Sequence, residues 1–206
     1  LSRRSWSLVS GYRTILVTLS PNKTKRREKM QFICVHWSGG SYESSLDWCL
    51  REESDVSYHM LIGPTGIATQ IVPWDYAAWA VGYAKTIDPR VSFKNANHAS
   101  VNIALAGGPP TPPTVKQMQS LEVWILATMR EAGWGKDDVW RIWGHNQCAV
   151  YAPGHKKAGQ FGRKPDPEGG NWLSLVELRK RIYAALDTGG SSSGTSSTVD
   201  SPGGGS

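Results

Sequence analysis

His36 and His145 occupy the same kind of place in the sequence. In "FICVHWSGG", Phe32 to Val35 deliver His36 to a glycine loop, and in "RIWGHNQCAV" Arg141 to Gly144 deliver His145 to a polar, proline- and glycine-rich run. An imidazole at the point where a chain leaves a buried strand is held by a rigid element and still open to a ligand. Neutral imidazole is the commonest zinc ligand, and a catalytic zinc takes three protein ligands and leaves one position for water. Downstream, "GRKPDPEGG" sets Asp166 between two prolines that restrict its backbone, with Lys164 two residues before it. Two imidazoles, a carboxylate and a nearby cation would make a hydrolytic metal centre in which the metal activates water and the ammonium steadies an oxyanion. Cys148, three residues after His145, is a rival for the third place, because thiolate also binds zinc well. Cys34 alternates with His36 and reads as core. His59 follows Tyr58 and should point away from it on a regular strand, as a structural or rim residue. His98 and His155 fall in loops, where simple solvent exposure is expected.

These side chains need a sheet to carry them. Gln31–Val35 is an apolar strand, and Ser44–Arg51 a short helix with Leu46 and Leu50 on one side. "YHMLIG" and "IATQIVP" flank Pro64-Thr65-Gly66 and read as a β-hairpin. "SVNIALAGG" (100–108) is a second buried strand, broken by the proline-rich residues 109–113. Thr114 with Gln117 forms a capping box that opens a helix to about Ala132, with Met118, Leu121, Ile125 and Met129 at helical spacing. Val139–Gly144 is expected as a strand and Trp172–Leu186 as a final amphipathic helix. Alternating strands and helices with one hairpin imply an α/β fold: a single domain with a central mixed β-sheet flanked by helices.

Composition sets the outer limits. The 206 residues suit one domain. Residues 1–29 lack periodicity and are expected as a poorly structured N-terminal extension, 30–187 as the folded domain, and 188–206, nearly all Gly, Ser and Thr, as a flexible tail. A net charge of +6 points to an acidic or polyanionic partner, an anionic cell envelope or nucleic acid. The basic residues are scattered apart from "KTKRREKM" (23–30), and without a base-reading motif no nucleic-acid partner is expected. Three cysteines make no paired framework and no CxxC motif, which fits synthesis in a reducing compartment. No apolar run reaches the length of a membrane span, and "ILVTL" is too short for a signal-peptide core. Ten tryptophans are unusual; most are expected in or near the core, with a groove for sugars or peptides as the sharper alternative.

Taken in order, "FICVHWSGG", "SYHMLIGPTGIATQIVP", "SVNIALAGG", "IWGHNQCAV…YAPG" and "GRKPDP" resemble the type 2 N-acetylmuramoyl-L-alanine amidases, the superfamily of phage endolysins and peptidoglycan recognition proteins. The resemblance covers about residues 31–186 and implies that superfamily's fold. It also implies zinc as cofactor with ligands His36, His145 and Asp166, and Lys164 as the residue that stabilises the tetrahedral intermediate. The substrate implied is the amide between N-acetylmuramic acid and L-alanine in bacterial peptidoglycan; the alternative is a non-catalytic peptidoglycan-binding module of the same fold. Many relatives carry a general-base glutamate where this chain has Ala104. The phage lysozyme-type members lack it too and place a tyrosine at the position of Tyr58, so the chain resembles that branch more. A second departure is the long stretch "AVYAPGHKKAGQFGR" before Lys164, where relatives often have a few residues. The resemblance further implies a monomer without membrane insertion, made in a host cytoplasm without a signal peptide and acting on the wall after release.

Overall fold

The computed structural model describes residues 16–188. In chain order the strands and helices are β1 (Leu16–Val17), β2 (Lys23–Lys25), β3 (Phe32–Trp37), α1 (Tyr42–Leu50), β4 (Met60–Ile62), β5 (Ala68–Gln70), β6 (Tyr76–Ala78), α2 (Ala96–Ala99), β7 (Ser100–Leu105), α3 (Val115–Ala132), β8 (Ile142–Gly144), α4 (His145–Cys148) and α5 (Leu175–Thr188). A six-stranded sheet runs β1-β5-β4-β7-β3-β8, and β2 pairs with β6 in a separate two-stranded sheet. The β4–β5 hairpin is antiparallel, and the other pairs of the large sheet are parallel. This is the expected mixed sheet.

Alternation along the strands divides the core. Ile33, Val35, Met60, Ile62, Val101, Ile103 and Leu105 face Leu121, Ile125 and Met129 of α3 and Leu175, Leu178 and Ile182 of α5. The opposite face presents Phe32, Cys34 and Trp143 in one cluster and Leu61 and Ala104 in another. The capping box forms as expected: Thr114 Oγ1 accepts the Gln117 N–H, and Gln117 Oε1 accepts the Thr114 N–H. Gln117 also donates to the carbonyls of Ile62 and Ala106, so the helix start is bolted to two strand ends.

Three expectations are corrected. Residues 16–29 belong to the domain. Leu16–Val17 pairs with β5, Thr18 and Ser20 continue that ladder to Gln70 and Ile71, and Asn22 is buried against Arg51, Ser54 and Val56. Short strands held by polar side chains have no apolar period to read, which is why composition missed them. Residues 1–15 and 189–206 lie outside the described residues. The strand expected over Val139–Gly144 is only Ile142–Gly144, because Asp138 accepts from Gly135 N–H and Arg141 Nε and winds Lys136–Arg141 into a 3-10 helix. The last helix starts at Leu175 rather than Trp172; Glu168 Oε1 accepts the Leu175 N–H and Ser174 Oγ that of Glu177, while Trp172 and Leu173 pack into the core as a lead-in.

Candidate metal centre

Parallel register brings the two histidines together. Val35 of β3 pairs with Gly144 of β8, so the next residues lie side by side: His36, still in β3 and paired with Ala104 of β7, and His145, the first residue of α4. Their rings meet edge-on with centroids 4.7 Å apart. Gly144 is needed there: a Cβ would come within 2.3 Å of Asn146 Oδ1 and 2.5 Å of Pro167 Cδ. That tight passage lets the segment around Asp166 pack over the strand end. Asn146 N–H donates to the Asp166 carbonyl at 2.7 Å, and Asn146 Nδ2 to Glu168 at 2.9 Å, which tie α4 to the loop that carries the carboxylate.

The result is a buried trio. Asp166 Oδ2 lies 3.2 Å from Nδ1 of His36 and 3.2 Å from Nδ1 of His145, and one ligand atom from each of the three residues lies within 4.8 Å of the others. The outer nitrogens are spoken for. His36 Nε2 faces Asn102 Oδ1 at 3.0 Å, and the Asn102 amide is oriented by its own Nδ2 donating to Ser100 Oγ. His145 Nε2 faces the Val81 carbonyl at 3.1 Å. Both partners accept, so both rings carry their proton on Nε2 and turn the Nδ1 lone pair inward. Two lone pairs and a carboxylate then converge on one point, an arrangement that repels itself unless a cation sits within it. Ligands about 2.0–2.1 Å from a tetrahedral zinc lie ~3.3 Å from one another, close to the two histidine–carboxylate distances of 3.2 Å. The electrostatics agree. Burial lowers the His145 pKa and favours its neutral form. Burial would raise that of Asp166; a proton on Nδ1 of either histidine, donated to Oδ2, and the charge it brings would outweigh burial and hold the carboxyl well below the ordinary carboxylate range.

The shell behind His36 extends further. His59 Nδ1 accepts the Asn102 N–H and the Asn102 carbonyl accepts the His59 N–H, so the two backbones lock. His59 Nε2 meets the Tyr76 carbonyl and the Arg26 guanidinium, each at 3.0 Å, and its ring stacks on Trp74. Arg26 donates as well to the carbonyls of Trp74, His98, Tyr76 and Ser100. Asn102, Arg26 and Val81 were missed as site residues. A lone amide in the apolar strand "SVNIAL" was the one available signal.

A comparison with protein families finds that the family described as N-acetylmuramoyl-L-alanine amidase matches residues 26–169. The chain belongs to this family. Its members hydrolyse the amide that joins peptidoglycan sugar to peptide, and this chain is an amidase of that class. No curated protein matches the chain. Among solved structures, an AmpD derivative is 22% identical with TM-score 0.59, over 84% of this chain and 93% of that one. PlyL is 16% identical with TM-score 0.57, over 82% and 97%. AmiD from E. coli, in complex with anhydro-N-acetylmuramic acid-L-Ala-D-γ-Glu-L-Lys, is 18% identical with TM-score 0.54, over 77% and 58%. At these identities they show a shared fold.

The amidase places the other candidates as follows. The Tyr58 ring lies 5.3 Å from that of His36, half-buried beside the trio. Burial raises its pKa, so the phenol stays protonated and can only donate or accept as an OH. Ala104 pairs with His36 across the β3–β7 ladder and is fully buried, so the position of the family's glutamate adjoins the trio and holds a methyl. Lys164 is exposed and makes no ion pair with Asp166 among the described residues. Cys148 stands apart: its Sγ lies 4.0 Å from Cys34 Sγ in the core and reaches back to the carbonyls of Gly144 and His145. Cys34 is core as expected. His98, expected in solvent, is buried with Nδ1 accepting the Arg27 N–H, while His155 is exposed and stacked on Tyr151. Of the described tryptophans Trp48 is exposed, Trp143 and Trp172 are buried and the others are half-buried, so most lie in or near the core. No helix among the described residues is long and apolar enough to cross a membrane.

Proposed function

We propose that this amidase cleaves the bond between the lactyl group of N-acetylmuramic acid and L-alanine with a zinc ion held by His36, His145 and Asp166. The observation that carries the reading is the convergence of both Nδ1 atoms on one oxygen of Asp166 while both Nε2 atoms are committed to acceptors. Zinc there would supply an acidified water and a Lewis acid for the carbonyl. The chain supplies the rest. Asn102 and Val81 hold the ligand rings in one tautomer. Tyr58 orients the attacking water with its hydroxyl, since alanine at position 104 offers no base. Lys164, on a flexible stem two residues from Asp166, steadies the carbonyl oxygen as it becomes negative. The wall stem bears carboxylates, and the net charge of +6 holds the enzyme near anionic envelope polymers, an attraction that salt weakens.

We further propose a wall-lytic, endolysin-like role as a monomer, acting on the cell wall of a phage host. The complete trio argues against the binding-module alternative, because recognition alone needs no third ligand. The test is incubation with purified peptidoglycan, with and without chelator, followed by mass analysis. Peptides with free L-alanine amino termini are the expected products, lost with chelator. New reducing sugar ends would overturn the reading.

A further inference from the structure

The carbonyl behind His145 is itself held. His145 Nε2 donates to Val81 O at 3.1 Å, and Arg163 Nη2 donates to the same oxygen at 3.0 Å. The Nε of Arg163 donates to the Val150 carbonyl at 2.8 Å, so one planar fork joins the segment around Val81 to the chain that follows α4. The other end of Val81 is gripped too: Asn97 Oδ1 accepts the Val81 N–H at 2.8 Å and the Ala80 N–H at 3.2 Å. The guanidinium lies close over Gly82, where a Cβ would come within 3.2 Å of Nη2. The base of the inserted stretch is clipped in register with this strut. Ala84 bridges Ala149, Val150 bridges Phe161, and Gly162 N–H donates to the Ala149 carbonyl.

We infer that Arg163 is a positioning residue for His145, acting through the Val81 carbonyl. A carbonyl oxygen has two lone pairs and no proton to give, so with Arg163 on one of them the other can only accept from Nε2. That commits the imidazole proton to Nε2 and aims the Nδ1 lone pair at Asp166. Without the fork, residues 80–83 keep the Asn97 bonds at one side and the Val150 N–H on the Tyr83 carbonyl at the other, but the Val81 carbonyl between them loses its second donor and its aim at His145 loosens. Val81, held by Arg163, therefore does for His145 what Asn102, pinned by Ser100 and His59, does for His36. It touches neither substrate nor reacting atoms. The inserted stretch thereby gains a role in holding the centre.

The inference rests on the zinc reading for one readout only. Arg163→Ala and Arg163→Lys are compared with the parent by the hydrogen exchange of the His145 and His36 Nε2 protons, in metal-free and in zinc-loaded protein, and by zinc affinity in chelator competition. Arg163→Ala should speed exchange at His145 by at least about tenfold, leave His36 unchanged, and weaken zinc roughly tenfold, the usual cost of losing an outer-shell partner. Arg163→Lys, whose single ammonium cannot bridge both carbonyls, should show the same selectivity with a smaller effect. Should the alanine variant not fold, the lysine variant decides alone. Exchange at His145 unchanged in a folded variant, or His36 and His145 loosened equally, would overturn the inference. A chain that holds no zinc would fail the reading of the preceding section instead, and nitrogen shifts of the His145 ring would still report whether Arg163 sets its tautomer.

Discussion

Asp166 has both imidazoles on a single oxygen, whereas Cys148 faces away into Cys34, and the two therefore predict different mutants. Asp166→Ala should abolish wall lysis and zinc retention, since it removes the anion and leaves two buried lone pairs opposed. Cys148→Ser should keep both within about twofold, because the hydroxyl can still donate to the carbonyls of Gly144 or His145. Lysis and bound metal measured side by side decide it, and a damaging serine would reinstate the thiolate as ligand. Tyr58 gives a second prediction. Burial keeps its phenol protonated, so its contribution is a hydrogen bond made mainly in the transition state. Tyr58→Phe should lower kcat by roughly 10²-fold on a soluble muropeptide with KM and zinc content little changed. Turnover equal to the parent would leave the reaction without help from this side chain.

At the scale of elements, Arg26 tests the correction to the N-terminal boundary. Its guanidinium binds the carbonyls of Trp74, His98, Tyr76 and Ser100, and burial lowers its pKa to about 10, so it remains charged at neutral pH. Arg26→Met keeps the stem and strands those carbonyls; it should cost about 2–4 kcal/mol by denaturant titration. A change under about 0.5 kcal/mol would mean that residues 16–29 only decorate the domain. What sequence made legible follows the same division. Apolar runs and the Thr114 capping box announced β3, the hairpin, β7 and α3, because burial and helix caps leave periodic marks. The strand-end positions of His36 and His145 were readable for the same reason, while choosing Asp166 over Cys148 took a family resemblance. Nothing local could reveal that Val81 and Asn102 back the rings, or that Arg26 bridges strands, since these contacts join residues 33 to 74 positions apart.

For the whole molecule, the buried polar girdle makes stability depend on pH. Burial, with the charge of Arg26, lowers the His59 pKa to about 3, while the unfolded chain has the ordinary value near 6.5. Between these values the unfolded state binds the extra proton, so stability is full above about pH 6.5 and falls as the pH drops towards 3, by about 1 kcal/mol per pH unit from this group. Protonation would set a new N–H on Nδ1 against the Asn102 N–H that it now accepts. His59→Gln, less stable at pH 7, should therefore show a shallower fall between pH 6 and pH 4; parallel curves would assign the loss elsewhere. The central claim, zinc-dependent amide cleavage at His36, His145 and Asp166, is tested most directly by titrating zinc into metal-stripped protein while following release of L-alanine-terminated peptide from a soluble muropeptide. Activity should be absent in the stripped protein, rise in proportion to zinc and level off at about one equivalent per chain. Full activity with less than roughly a tenth of an equivalent bound would contradict the account.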